Sequence, residues 1–215
     1  MKSSTYKICV LGIMGALSIV LALVVRFPIF PQVAFLEYDM ADVPIFLSTY
    51  MFGSVSGLIL AAIVCLIQGF TVSASSGIYG IIMHFIATGT YVFVSGLIYS
   101  KHRNIKGAIV ALVSGSLAWV LVMIPANLII TPLFMGVTVE VVLDLLLWIV
   151  LFNLIKAFGN SLITFLLYKR MSILFKKLFR VEDKKKAVAA DSDSQTSLNE
   201  IKSADKSDDD NRKIS

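Results

Sequence analysis

Charged residues are scarce in this sequence. Only 15% of the 215 residues are Asp, Glu, Lys or Arg, while 57% are apolar and the mean hydropathy is +0.85. About a quarter of the residues in a soluble globular domain are charged, so this composition excludes an ordinary soluble fold and indicates an integral membrane protein. The net charge of +5 does not indicate nucleic-acid binding. The cations collect just outside the apolar runs, where they would meet anionic lipid headgroups.

Cysteines and catalytic motifs are scarce as well. The two cysteines, Cys9 and Cys65, both lie in apolar runs, which favours reduced structural thiols over a disulfide. No GxxxxGK[ST], HExxH or GxSxG motif is present. We therefore expect no enzymatic activity, no metal site and no cofactor. Active transport by this chain would need another protein to hydrolyse ATP.

Long apolar runs dominate the remaining sequence and predict an all-α bundle of six transmembrane helices. The runs cover residues 6–25, 42–53, 55–72, 77–100, 106–130 and 141–168. A helix needs about 20 apolar residues to cross a bilayer, so the second run is short and could be a half-helix. The first run is expected to be a retained helix, because bulky "VVRFPIFPQ" follows it in place of a signal-peptide cleavage site.

The chain is predicted to have two parts. Residues 1–180 are predicted to form a six-helix transmembrane domain, to which the residues described below assign substrate binding. Residues 181–215 are rich in Lys, Asp and Ser and nearly free of large apolar side chains, which predicts a disordered cytoplasmic tail.

Basic residues between the runs predict the orientation. With six crossings, every basic cluster falls on one side: Lys2 and Lys7; Lys101, Arg103 and Lys106; and Lys169, Arg170, Lys176, Lys177 and Arg180. The positive-inside rule then places both termini in the cytoplasm, whereas five crossings would leave one cluster outside.

A few polar residues interrupt the apolar runs. Asn153 and Lys156 are three positions apart in "LFNLIKAFGN" and share a helical face, and Lys156 is too far from the helix end to snorkel. A charge near mid-bilayer is costly and usually marks a cavity or a functional site. Asn127 and His84 lie in neighbouring runs. Together these residues predict a ligand site, with an internal structural hydrogen-bond network as the alternative.

The segment "RFPIFPQVAFLEYDMADVP" mixes aromatic residues with carboxylates and prolines. Aromatic rings supply flat apolar faces and carboxylates supply acceptors, so the segment suits a lid over a planar, hydroxyl-bearing ligand, with a plain connecting loop as the alternative. The predicted substrate-binding residues are Glu37, Tyr38, Asp39, Tyr79, His84, Asn127, Asn153 and Lys156.

Small residues are grouped on the first run, in "LGIMGALS". Gly12 and Ala16 lie four positions apart on one helical stripe, with Gly15 beside them. Such spacing allows another helix to approach closely, although the partner could be inside or outside this chain.

Two strings, "FLEYDMADVPIFLSTYMFGSVSGL" and "LFNLIKAFGNSLITFLLYKR", resemble the riboflavin-specific S components of energy-coupling-factor (ECF) vitamin transporters. The resemblance covers roughly residues 6 to 172. It implies six helices in a bacterial plasma membrane and a riboflavin pocket that opens outward under a lid formed by the loop after the first helix. It also implies that the small-residue stripe contacts a transmembrane coupling subunit, which works with two ATPase subunits. His84 stands where family members often carry asparagine, and Phe152 where a proline is frequent.

Other functions stay open. The same fold could bind thiamine, a folate or another small vitamin. A membrane enzyme would need a convergent nucleophile, acid–base pair or metal cluster, which the sequence does not display. A non-transport membrane scaffold would leave Lys156 without a purpose beyond packing.

Overall fold

The computed structural model describes residues 2–170. The predicted tail of residues 181–215 lies outside the described residues, as do Lys176, Lys177 and Arg180. The division of the chain at residue 180 therefore stays a prediction.

Six α-helices account for most of the described chain. They are α1 (Lys2–Val24), α2 (Asp42–Phe52), α3 (Ser54–Phe70), α4 (Gly77–Lys101), α5 (Ile105–Met135) and α6 (Val139–Arg170). Four of them, α1, α4, α5 and α6, are long and apolar enough to cross a membrane. By the usual rise per residue, α2 is about 16 Å long and α3 about 25 Å, which is shorter than a typical hydrocarbon core of ~30 Å. The number of complete crossings, predicted as six, and the cytoplasmic position of both termini remain predictions.

The short helix α2 lies inside the bundle. Every residue from Asp42 to Tyr50 is buried, so this helix has no face left for lipid. Gly53 separates it from α3 with φ 90° and ψ 167°, a backbone conformation that L side chains rarely adopt. The predicted break between the second and third apolar runs is therefore confirmed.

Helix α5 extends five residues beyond the predicted end at residue 130. Pro125 and Pro132 lie inside it, and it ends at Gly136, whose φ of 68° caps the helix in the left-handed conformation. Proline is a strong stop signal in soluble helices, but membrane helices tolerate it, because neighbouring groups satisfy the freed backbone carbonyls.

The segment between α1 and α2 contains a small hairpin, so the all-α prediction needs an amendment. Strand β1 (Arg26–Pro28) pairs antiparallel with β2 (Glu37–Asp39), which places Arg26 opposite Asp39 and Phe27 opposite Tyr38. A 3-10 turn at Pro31–Val33 connects the strands. Three-residue strands carry too little alternation to be recognised in a sequence.

An aromatic cluster joins α2, α4 and α5 in the core. Phe46 stacks on Tyr91 with ring centroids 3.6 Å apart, and Trp119 packs edge-on against Phe46 at 6.4 Å. All three side chains are at most 2% exposed. Because Trp119 also reaches the cavity described next, this cluster fixes one wall of the candidate site.

Candidate functional site

A cavity opens at the end of the bundle that carries the hairpin. The hairpin, α3, α4, α5 and α6 all contribute to its wall. Six of the predicted substrate-binding residues line it: Glu37, Asp39, Tyr79, His84, Asn153 and Lys156. The other two, Tyr38 and Asn127, are buried behind the wall.

Lys156 is paired with the hairpin. Its Nζ donates a hydrogen bond to Asp39 Oδ2 at 2.7 Å, and the two side chains are only 9% and 12% exposed. Asp39 Oδ1 accepts a further bond from the Ala41 N–H at 3.0 Å. A buried charge is tolerated when it is paired and hydrogen-bonded, so this ion pair is the structural reason that α6 can carry a lysine here.

Asn160, one turn beyond Lys156, connects three further groups. Its Nδ2 donates to the Asp39 carbonyl and to Asp42 Oδ2, both at 3.1 Å, and its Oδ1 accepts from the Tyr38 hydroxyl at 2.9 Å. Burial raises the pKa of Tyr38 above its ordinary value, so its phenol stays protonated and able to donate. Asn160 thus fastens β2 and the start of α2 to α6.

His84 completes this network from α4. Its Nε2 lies 3.2 Å from Asp42 Oδ1, which also accepts from the Thr88 hydroxyl at 2.6 Å.

Asp39, Asp42 and His84 each bring one atom within 4.8 Å of the others, a spacing that a metal ion could use. Each of these atoms already has a protein partner, and the Lys156 ammonium opposes a second cation nearby. The cluster has the chemistry of an ion-pair network.

Asn153 is held in place from two sides. Its Oδ1 accepts from the Trp119 indole N–H at 2.9 Å, and its Nδ2 donates to the Ile149 carbonyl at 2.8 Å. One N–H of the amide remains free to face the cavity, since an asparagine has two amide donors.

Asn127 has a structural environment. Its Nδ2 donates to the Met123 carbonyl at 2.7 Å, and its Oδ1 accepts from the Thr131 hydroxyl at 3.0 Å. Thr131 lines the cavity and Asn127 does not. The asparagine therefore orients a wall residue from behind, next to the prolines of α5.

Glu37 is paired with a cation of its own hairpin. It forms an ion pair with Arg26 across the hairpin, and Arg26 also donates to the Val72 carbonyl between α3 and α4. Arg26 thereby ties the hairpin to the segment between α3 and α4.

Aromatic rings surround the opening. Tyr79 and Phe35 both pack against Phe134, with ring centroids 6.2 and 6.4 Å apart. All three rings line the cavity. Flat apolar faces of this kind are suited to stacking against a planar ligand.

Residues that the sequence analysis did not select also shape the site. Trp119, Asn160 and Gln68 are buried polar or amphipathic side chains in apolar helices. Asn160 could have been found, because it lies four positions after Lys156 and shares its helical face. Gln68 is a polar residue within the apolar run "VCLIQGF", as Lys156 is within α6, so it could also have been selected from the sequence.

The small-residue stripe on α1 points mainly outward. Gly12 and Ala16 are exposed, and a side chain added at Gly12 would meet nothing within 4 Å. Gly15 faces inward instead, since an added Cβ would lie 3.2 Å from Leu60 Cδ1 on α3. The stripe therefore divides into an inner contact at Gly15 and an open face at Gly12 and Ala16.

Comparison with known proteins agrees with this architecture. Residues 6–168 match the family described as ECF transporter, substrate-specific component. The riboflavin transporter RibU of Staphylococcus aureus is 25% identical over 179 residues, which are 80% of this chain and 93% of that protein. RibU of Lactococcus lactis is 25% identical over 127 residues, which are 58% of this chain and 62% of that protein. A solved S component of a bacterial ECF transporter superposes with a TM-score of 0.72 at 26% identity, covering 80% of this chain and 99% of that one.

Proposed function

The chain belongs to the family of substrate-specific components of ECF transporters, and from this premise we propose that it captures riboflavin. In this proposal the vitamin enters the cavity from outside the cell and leaves toward the cytoplasm when an ATP-driven coupling module engages the subunit. Riboflavin is cargo here, and no cofactor takes part. The similarity to two RibU proteins supports the choice of vitamin.

The observation that carries the proposal is the pair of free donors on α6. Lys156 has three N–H donors and gives one to Asp39; Asn153 has two and gives one to Ile149. Both residues line the cavity. The isoalloxazine ring carries two carbonyls and ring nitrogens that accept hydrogen bonds, and the ribityl hydroxyls also accept. A wall rich in donors complements a neutral ligand rich in acceptors.

The apolar part of the cavity supports a ring system. Phe35, Tyr79 and Phe134 surround the opening, and Trp119 and Met123 lie in the wall on α5. Their apolar surfaces cover a planar ring and exclude water, which strengthens the hydrogen bonds that α6 makes to its edge.

The open face of α1 supports the second half of the proposal. Gly12 and Ala16 leave a stripe with little side-chain bulk on the surface of the bundle. Another helix can approach closely there, so we assign this face to the coupling subunit. Two ATPase subunits would supply the energy, and both termini of this chain would lie in the cytoplasm.

Titration of flavin fluorescence with the purified 215-residue chain tests the substrate assignment. Riboflavin fluorescence should be quenched on binding, because the ring stacks among aromatic side chains. Excess thiamine or folate should leave the quenching unchanged. Absence of quenching, or displacement of riboflavin by thiamine or folate, would overturn it.

A further inference from the structure

Gln68 on α3 has an unsatisfied amide in the cavity wall. The residue is 3% exposed and lines the cavity, yet its Oε1 accepts no hydrogen bond. Two other buried side-chain oxygens in the described residues lack a partner, those of Ser18 and Ser95, and neither lines the cavity. A buried carbonyl without a donor is unfavourable, so its position in a binding cavity calls for a ligand that supplies the donor.

The other strong acceptors in the buried part of the wall are occupied. Asp39 accepts from Lys156 and from the Ala41 N–H, and Asn153 Oδ1 accepts from Trp119. At the rim, Glu37 is paired with Arg26. Among the buried side-chain carbonyls and carboxylates that line the described cavity, Gln68 alone has no donor.

Small and apolar residues lie next to Gln68 in the wall. Cys65, one turn earlier, and the adjacent Gly69 both line the cavity. An added Cβ at Gly69 would collide with Ile81, so the glycine lets α4 pack tightly against α3 beside the amide. Gln68 therefore lies among small and apolar residues of the cavity wall, with its Oε1 buried and without a donor.

We propose that Gln68 binds the imide edge of the flavin ring, accepting a hydrogen bond from its N3–H. This inference rests on the proposed function. A carboxamide presents an acceptor and a donor side by side, and the imide edge presents an N–H beside a carbonyl, so the two are complementary at two points. Lys156 and Asn153 supply only free donors, and N3–H is the one donor that the ring contains. Gln68 thus provides the acceptor that α6 does not.

Gln68→Met tests the inference, because methionine keeps the length of the side chain and removes both hydrogen-bonding groups. Riboflavin affinity should fall about tenfold or more, because one buried hydrogen bond is usually worth about tenfold and the substitution removes both hydrogen-bonding groups. Lumiflavin, which has the ring without the ribityl chain, should lose affinity by the same factor. A loss restricted to riboflavin would show that Gln68 contacts the ribityl chain and would overturn the assignment.

N3-methylriboflavin provides the second arm. The parent chain should bind it about tenfold more weakly than riboflavin, whereas Gln68→Ala, which leaves room for the methyl group, should bind the two within about twofold. An equal preference for riboflavin in the parent and in Gln68→Ala would overturn the inference.

Stability of the ligand-free chain separates a ligand contact from a structural one. Gln68→Met removes an unpartnered amide, so its unfolding temperature without ligand should equal or exceed that of the parent. Gln32→Met, the same change at an exposed residue outside the cavity, is the matched control and should bind riboflavin as the parent does. If the parent quenches no flavin, the proposed function fails. If the parent binds and Gln68→Met binds equally well, only this inference fails.

Discussion

Lys156 and Asp39 lie 117 positions apart in the sequence and 2.7 Å apart in space. One belongs to α6 and the other to the hairpin that forms part of the cavity wall. Their ion pair therefore does two things at once: it neutralises a buried lysine, and it joins the hairpin to α6 at the cavity wall.

We predict that Lys156→Met weakens riboflavin binding more than tenfold and also destabilises the protein. The substitution leaves Asp39 buried without its cation, which costs about 3–5 kcal/mol. Riboflavin titration and thermal unfolding in detergent measure the two effects.

The double variant Asp39→Asn/Lys156→Met is the control. It should recover much of the lost stability, because no uncompensated charge remains, but binding should stay weak since the free lysine donors are gone. A double variant less stable than Lys156→Met would contradict the pairing.

Asn153→Leu should weaken riboflavin binding about tenfold, because it removes the free amide donor. It also leaves the Trp119 indole N–H buried without an acceptor, at about 1–3 kcal/mol. Adding Trp119→Phe should restore part of that stability without restoring binding. Unchanged stability in Asn153→Leu would mean that the indole finds another acceptor.

Larger side chains should have different effects on the outer and inner sides of the α1 stripe. Gly12→Leu and Ala16→Leu should abolish riboflavin uptake into cells and leave binding by the isolated subunit nearly intact, since neither residue packs inside this chain. Gly15→Leu is the contrasting variant and should destabilise the isolated subunit through its collision with Leu60. Equal loss of binding and uptake in Gly12→Leu would show that the outer face packs internally.

Cysteine labelling tests the orientation. In a background lacking Cys9 and Cys65, a cysteine replacing the exposed Ser75 should react with an impermeant reagent in intact cells. A cysteine replacing Arg103 should react only after permeabilisation. Arg103 is a better position than Asn104, whose side chain caps α5 by accepting from the Gly107 N–H at 2.7 Å. Labelling of the Arg103 variant in intact cells would refute a cytoplasmic location for this loop.

Helical spacing and the cost of buried charge were enough to predict part of the site from the sequence. They selected Asn153 and Lys156 as neighbours on one face, and the structure places both in the cavity wall. The resemblance to the ECF S components is confirmed by the family match over residues 6–168.

The partners of those residues depend on tertiary contacts that no local pattern contains. Lys156 binds Asp39, while Glu37, an equally plausible carboxylate in the sequence, binds Arg26. Asn127 carries the same amide as Asn153, but its amide forms hydrogen bonds with Met123 and Thr131 of its own helix. The hairpin is bonded to distant parts of the chain through Asp39 and Arg26. Its strands have three residues each, which is too short for a recognisable alternation.

The prolines inside α5 give the cavity walls unequal stiffness. Pro125 and Pro132 have no N–H, so the carbonyls of Leu121 and Leu128 receive no bond from the residues four positions later. Bending α5 in this region therefore breaks fewer backbone hydrogen bonds than bending α3, α4 or α6, whose described residues contain no proline. We therefore expect a ligand wider than the cavity to displace α5, while Lys156 and its neighbours on α6 keep their positions.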